Sequence, residues 1–202
     1  PISKQVLNSY LRYMYQGDQE ADNNQKKMEQ IPSGKRSLAD LDGFYSVKGS
    51  NGQFGDHRVI IEQIRVQSPD GSDSVARSGH KFEIGMMLKT HETIQNPIAG
   101  YIIKDRLGRK VLGDNTSFMQ HPFGPIIEGN RYLLFFRFEE WPNLLAGKYT
   151  LSLAIGELVN GIQKICHWCE DVTIIESIPF RMAAGIFSVT DLTVEVKRLT
   201  EN

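Results

Sequence analysis

The stretch NRYLLFFRFEE, residues 130–140, decides the fold. Tyr132, Leu134, Phe136 and Phe138 fall on alternate positions, with Arg131, Leu133, Phe135 and Arg137 between them. A strand points successive side chains to opposite faces, so the first set faces a core and the second faces outward. The same alternation appears upstream in HKFEIGMMLKTHE, residues 80–92, as Phe82, Ile84, Met86 and Leu88 against Lys81, Glu83, Met87 and Lys89. Downstream, GKYTLSLAIGE, residues 147–157, sets Tyr149, Leu151, Leu153 and Ile155 against Thr150, Ser152 and Ala154.

Further strands follow on either side. RVIIEQIRVQSPDG, residues 58–71, reads as a strand ending in a Pro-Asp-Gly turn. GYIIKDRLGRKVLGDNT, residues 100–116, reads as a hairpin: a strand through Tyr101 and Ile103, a turn closed by Gly108, and a short strand through Val111 and Leu112. QKICHWCEDVTIIESIPF and FSVTDLTVEV supply the last strands. Short strands with turn signals about every ten residues and no helical period between them describe an antiparallel β-sandwich. The Cys–Trp–Cys spacing of antibody domains is absent.

The chain before His57 is different. In SKQVLNSYLRYMYQG, Val6, Leu7, Tyr10, Leu11 and Met14 recur at helical spacing, Ser3 can cap the start and Gly17 ends it. So short a helix needs something to pack on, either its own sheet or a partner. Residues 18–56 are polar and turn-rich, with Leu38, Leu41, Phe44 and Tyr45 available to pin them locally. The expected organisation is an N-terminal helix over residues 1–17, a polar linker over 18–56 and the sandwich over 57–202.

Bulk properties narrow the function. Of the 202 residues, 40% are apolar and 23% charged, enough for one domain with a substantial core. A net charge of −1 argues against binding nucleic acid or an anionic membrane surface, which require a basic excess. No apolar run approaches the roughly 20 residues that span a bilayer. The first residues lack a signal peptide's basic-then-apolar pattern. Opening on Pro1, the chain is expected to be a piece of a longer protein. Two cysteines make no disulfide scaffold and suit a reducing compartment.

Catalytic patterns are sparse. No G-x-x-x-x-G-K-[ST] loop is present, so any ATP hydrolysis belongs outside these residues. Cys166-His167-Trp168-Cys169 has redox or zinc spacing but lies in a strand pattern, without further ligands, and reads as structural thiols. No metal or cofactor is expected. The histidines form no triad order. Glu139-Glu140 and Glu170-Asp171 are adjacent in strands, so each doublet should point to opposite faces and cannot form a glycosidase pair.

The surface is more suggestive. If Tyr132, Leu134, Phe136 and Phe138 fill the core, Leu133 and Phe135 stand outward between Arg131 and Arg137. With the small Thr150, Ser152 and Ala154 beside them, they would form a shallow groove with an apolar platform and donors at its rim. Sugars suit such a groove, because their C–H faces lie on aromatic rings and their hydroxyls or phosphate caps take planar donors. The same face could equally be an interface. Trp168 and Tyr101 suit sugar stacking or the core.

These strands together resemble a known family. The SPDG strand end, GYIIKDRLGRKVLGDNT, IIEGNRYLLFFRF and LLAGKYTLSLAIG, spread over residues 57–197, are similar to the C-terminal carbohydrate-binding domain of Wzt-type ATP-binding subunits. Those subunits belong to ABC transporters that export lipopolysaccharide O-antigen from Gram-negative bacteria. The resemblance implies an immunoglobulin-like sandwich that dimerises at the cytoplasmic face of the inner membrane. There it binds the non-reducing, often capped end of lipid-linked polysaccharide. The implied partners are that polysaccharide, a second copy, the ATPase domain of the same chain and the transporter's membrane subunit. Pro179 and the pliable Ala183-Ala184-Gly185 could let the last strand cross to the second copy. The expected ligand contacts are Arg131, Phe135, Arg137, Trp168 and Tyr101, in a domain with no catalysis of its own. The rival is a structural or dimerisation module that binds no sugar; a carbohydrate-active enzyme with carboxylates on distant strands is a third reading.

Overall fold

The structure, a computed structural model, describes residues 42–48, 52–68, 71 and 74–188. Twelve strands follow in chain order: β1 (Tyr45–Ser46), β2 (Gln53–Phe54), β3 (Val59–Gln67), β4 (Val75–Arg77), β5 (Phe82–Thr90) and β6 (Pro97–Lys104) come first. β7 (Lys110–Asn115), β8 (Arg131–Phe138), β9 (Asn143–Leu144), β10 (Gly147–Val159), β11 (Ile162–Ile178) and β12 (Phe187–Ser188) complete the set. One sheet has the order β1-β3-β5-β8; the other has β2-β11-β10-β6-β7, with β4 added in parallel beside β11. A small β12-β9 pair stands apart. All other pairings are antiparallel, so the sandwich expected from the alternation is the fold observed.

Alternation was read correctly where the ladders are regular. β5 pairs with β8 without a slip from Phe82↔Phe138 to Lys89↔Arg131. Phe82, Ile84, Met86, Leu88 and Phe136 are buried, and Tyr132, Leu134 and Phe138 pack against them. From the facing sheet come Tyr101, Ile103, Tyr149, Leu151, Leu153 and Ile155. An edge-to-face chain of rings crosses the core: Phe82 to Trp141 at 4.8 Å, Trp141 to Phe138 at 4.9 Å, Phe138 to Tyr101 at 5.6 Å and Tyr101 to Phe136 at 4.9 Å. The fully buried Trp141 has its indole donor satisfied by Ser177 Oγ at 3.1 Å.

Regularity fails in four places, one of them where β7 steps over Val111 opposite β6. In β3 the register steps over Glu62, and the freed Ile61 N–H donates to His167 Nδ1 at 2.9 Å across the core. In β11 the register steps over Cys166 and again between Cys169 and Thr173. At the latter, Glu170, Asp171 and Val172 stand opposite Ser152 alone, and Asp171 takes a left-handed φ of 47°.

The first residues of the sandwich lie earlier than expected. β1 and β2 fall within residues 18–56, where Phe44 and Phe54 pack on the two outer faces and Val47 is buried. Few apolar residues, each seated on an existing sheet, are enough to hold residues 42–48 and 52–56 of this polar stretch. The helix expected over residues 1–17, the linker up to residue 41 and the strand after residue 188 lie outside the described residues.

Candidate functional site

The two outer faces are built differently. On the four-stranded sheet, the cross-strand row Arg65↔Gly85 and Gly85↔Phe135 points outward, flanked by Glu83 and Arg137 in the next row. Gly85 lacks a side chain, and a Cβ there would lie 3.0 Å from rings of both Phe135 and Phe44. The two aromatics therefore settle over it, edge to face at 6.1 Å. The Arg137 and Arg65 guanidiniums lie 4.7 and 5.1 Å from the Phe135 ring centre. Arg65 is further held by Glu83 at 2.5 Å and by the Asp42 carbonyl at 3.0 Å. Arg137 Nε donates to Glu83 at 2.8 Å and Arg131 Nε donates to Glu62 at 2.6 Å. The Arg131 hydrogen bond holds the Glu62 carboxyl below the usual carboxylate range.

On the other sheet's outer face, small residues make a low strip. Asn115↔Gly100, Gly100↔Ala154 and Ala154↔Trp168 form one row, and Gly113↔Ile102 and Ile102↔Ser152 form the next. Gly100 is required by close approach, since a Cβ there would meet the Asn115 Cβ at 3.0 Å and the Asp114 carbonyl at 3.1 Å. Trp168 closes one side, stacked on Phe54 at 5.8 Å with a 20° interplanar angle.

Beside Trp168 the bulge in β11 gathers a polar group. Lys104 Nζ, at the end of β6, donates to Glu170 Oε1 and to Asp171 Oδ1, the latter at 3.0 Å. Trp168 Nε1 donates to the other Glu170 oxygen. The Asp171 backbone N–H donates to Ser152 Oγ at 3.0 Å, and that hydroxyl also lies 3.3 Å from the Asp171 carboxylate. Burial alone would raise the Asp171 carboxyl, but hydrogen bonds from Lys104, Thr150 and Ser152 hold it below its ordinary value. Burial opposes the Lys104 charge, yet its two carboxylate partners hold the ammonium above the ordinary lysine value.

The Cys-His-Trp-Cys stretch is mostly core. Both thiols are free and fully buried, and burial pushes each up to about 12. Because His167 Nδ1 accepts from Ile61, its Nε2 carries the proton and donates to Gln53 Oε1 at 3.2 Å. Burial, followed by the neighbouring His57, pushes His167 down to about 4. Among the described residues no group of three or more His, Cys, Asp and Glu side chains comes together to hold a metal.

The five expected contact residues do not converge. Arg131, Phe135 and Arg137 share the first face as the alternation required, but the Phe135 ring is covered by Phe44 and two guanidiniums. Thr150, Ser152 and Ala154 belong to the other sheet, not beside Phe135, so the groove expected between them does not exist. Tyr101 is a core residue, 7% exposed, pinned by Phe136 and Phe138. Trp168 faces outward but is 7% exposed under Phe54, so it borders the strip without offering an open face. The Glu170-Asp171 doublet, expected to diverge, converges on Lys104 because the bulge breaks the alternation. Lys104 itself had no signal beyond its outward place at the end of an apolar strand.

Comparison with known proteins agrees with this architecture. A crystal structure of the C-terminal domain of wzt is similar over 76% of this chain and 92% of that one, with a TM-score of 0.64 and 16% identity, which speaks for the fold. A Niemann-Pick type C2 protein from the Japanese carpenter ant gives a TM-score of 0.41 at 10% identity, over 64% of this chain and 97% of that one. No curated protein matches the chain. The family model described as the Wzt C-terminal domain matches residues 50–189. With that match covering more than half of its length, the chain belongs to the Wzt C-terminal domain family.

Proposed function

We propose that this domain is a non-catalytic carbohydrate-binding module that recognises the non-reducing end of lipid-linked O-antigen for export by an ABC transporter. It would act at the cytoplasmic face of the inner membrane, alongside the ATPase domain and the membrane subunit of that transporter. One observation carries the reading: a lysine and two carboxylates converge beside a tryptophan, on a strip floored by glycine, alanine and serine. Glu170 and Asp171 present part-exposed carboxylate oxygens beside the edge of Trp168, and such oxygens accept from sugar hydroxyls in strong charge-assisted bonds. The strip, rather than the covered Phe135, is the better candidate. Calorimetry with the source organism's O-polysaccharide tests this. Glu170→Gln should weaken binding about tenfold, the loss of one hydrogen bond to a charged group. Undiminished affinity would remove the strip from the site, and no binding by the folded parent would favour a purely structural module.

Exposed apolar side chains support assembly as part of the same reading. Ile174, Ile178, Phe180, Met182 and Phe187 are all exposed in the last part of the described chain. We take the domain to be a homodimer joined by exchange of its last strand. Light scattering on protein lacking residues 186–202 should then report a monomer, and a persistent dimer would dismiss strand exchange.

A further inference from the structure

The four-stranded sheet ends on an unprotected strand. β8 pairs with β5 along its whole length, and among the described residues no strand pairs with its other side. Edge strands are commonly blunted by brevity, a proline or a bulge. β8 has none of these: it is eight residues long, reads RYLLFFRF and keeps its register throughout. Its core side is also incompletely covered. Phe82, Ile84, Met86 and Leu88 of β5 are fully buried, whereas Tyr132, Leu134 and Phe138 of β8 are only half-buried. The missing cover lies along the open flank.

The chain is led towards that flank. β12 runs antiparallel to β9, with Phe187 opposite Leu144 and Ser188 opposite Asn143, so beyond Ser188 it heads back along the end of β8. The Asn143 side chain fixes this course: its amide donates to Ser188 Oγ at 2.8 Å and to the Arg181 carbonyl at 3.0 Å, and its oxygen accepts from the Phe180 N–H at 3.1 Å. Trp141, between β8 and β9, bonds its backbone to Gly79 and His80 on the β5 side, which leaves the other side to the returning chain. Residues 189–202 read VTDLTVEVKRLTEN, where Leu192, Val194 and Val196 alternate with Thr193, Glu195 and Lys197.

We propose that the open edge of β8 receives residues 191–198 as a fifth, antiparallel strand of this sheet. Under the strand exchange proposed above, on which this assignment rests for the donor's identity, the donor is the second copy. Leu192, Val194 and Val196 lie opposite Phe138, Phe136 and Leu134 and complete the cover of the core. Relative to Ser188↔Asn143, this takes one extra residue on the β8 side, which the irregular connection at residues 139–142 supplies. A slip by one would turn all three apolar residues outward, so the register is strongly specified. On the outer face, Thr193 lies opposite Arg137 and Glu195 opposite Phe135. Glu195 is thereby diagonal to the exposed Arg137 guanidinium, an opposite-charge pair across the strands. The unpaired backbone groups of the β8 flank gain their partners in the same step.

Disulfide capture in the full chain tests this. Arg137→Cys and Thr193→Cys, coexpressed on separate chains, should give a covalent dimer on mild oxidation that reduction releases, because directly opposite residues lie within disulfide reach. The native thiols are buried and do not compete. Arg137→Cys with Lys197→Cys, displaced by four residues or about 13 Å, should give none. Thr193→Pro removes a ladder donor from outside the described sandwich. It should yield a monomer in light scattering and quicken hydrogen exchange at β8 amides about tenfold or more. Cross-linking only when both cysteines share one chain keeps the β8 edge and dismisses exchange. No cross-link in either arrangement, in a dimer that still requires residues 186–202, overturns the β8 edge and leaves exchange standing. Unchanged β8 exchange in Thr193→Pro also overturns the assignment.

Discussion

On one outer face the acids lie low and the bases stand above them; on the other the order is reversed. Glu62 and Glu83 are 24% and 17% exposed beneath Arg131 and Arg137 at 59% and 63%, whereas Lys104 is buried beneath Glu170 and Asp171. The difference follows from the backbone. Where the β5–β8 ladder is regular, Arg137 lies over the shorter Glu83 on the next strand and over the Phe135 ring, whereas Arg131 reaches across β5 to Glu62 on β3. Where β11 bulges, the acids are lifted above the sheet and the lysine reaches them from below. One face therefore offers cations and the other anions, on a domain whose formal charge is only −1. Local backbone irregularity, more than composition, sets what each face presents.

His167 links the two faces, and disturbing it should have the largest effect. It lies on β11 between two bulges and accepts the Ile61 N–H that the Glu62 bulge frees in β3. Protonation would destroy that acceptor. Its folded pKa of about 4 lies below the unfolded 6.5, so the unfolded chain binds the extra proton first. Stability contributed by the neutral ring is then full above pH 6.5 and lost as pH falls towards 4, by up to about 3 kcal/mol. Urea unfolding between pH 7 and pH 4 should show this slope, and His167→Gln should flatten it. Equal slopes would mean the faces are not coupled through this ring.

Lys104→Met comes next. It would strand two carboxylates beside one another and beside Trp168, at a cost of about 2 kcal/mol. That is less than the 3–5 kcal/mol of a fully buried broken pair, because Glu170 and Asp171 keep some water. A change below about 0.5 kcal/mol in urea unfolding would show the lysine to be replaceable and the buried-base description of this face to be wrong.

The two glycines that shape the faces should also differ. Gly100→Ala presses on the Asp114 carbonyl, a backbone atom in a paired strand, and should cost about 1–2 kcal/mol. Gly85→Ala first meets the Phe44 and Phe135 rings, side chains that can turn aside. The lost chain entropy that glycine brings to the unfolded state offsets much of that, so its net effect should lie near zero. Thermal denaturation of both variants checks the order; a larger loss at Gly85 would make the aromatic cover a rigid part of the fold.

What could be read from the chain follows the same division. Strict alternation in residues 80–92 and 130–140 identified the core set and the outward arginines, because those ladders hold their register. Glu170-Asp171 was visible as a pair but assigned to opposite faces, since a bulge has no signature in the residue pattern of a long strand. Thr150, Ser152 and Ala154 were correctly outward, yet which sheet they face outward from depends on the order of strands, which alternation does not encode. Phe44 was legible as a residue that could pin its polar stretch, but Phe54 was hidden by the polar residues around it, although each covers an aromatic on an outer face.

Arg137→Ala should have the smallest effect, and it is the direct control on Lys104→Met. Both variants remove a cation from a pair with glutamate, but the Arg137 side chain is 63% exposed and its partner Glu83 keeps Arg65 at 2.5 Å. No carboxylate is stranded. The loss is confined to an exposed ion pair and one cation–π contact on Phe135, so stability should stay within about 1 kcal/mol of the parent. Retention on immobilised O-polysaccharide should be unchanged, because the acceptor strip lies on the other sheet. A clear drop in retention with stability intact would return the binding site to the arginine face and reverse the roles given to the two surfaces.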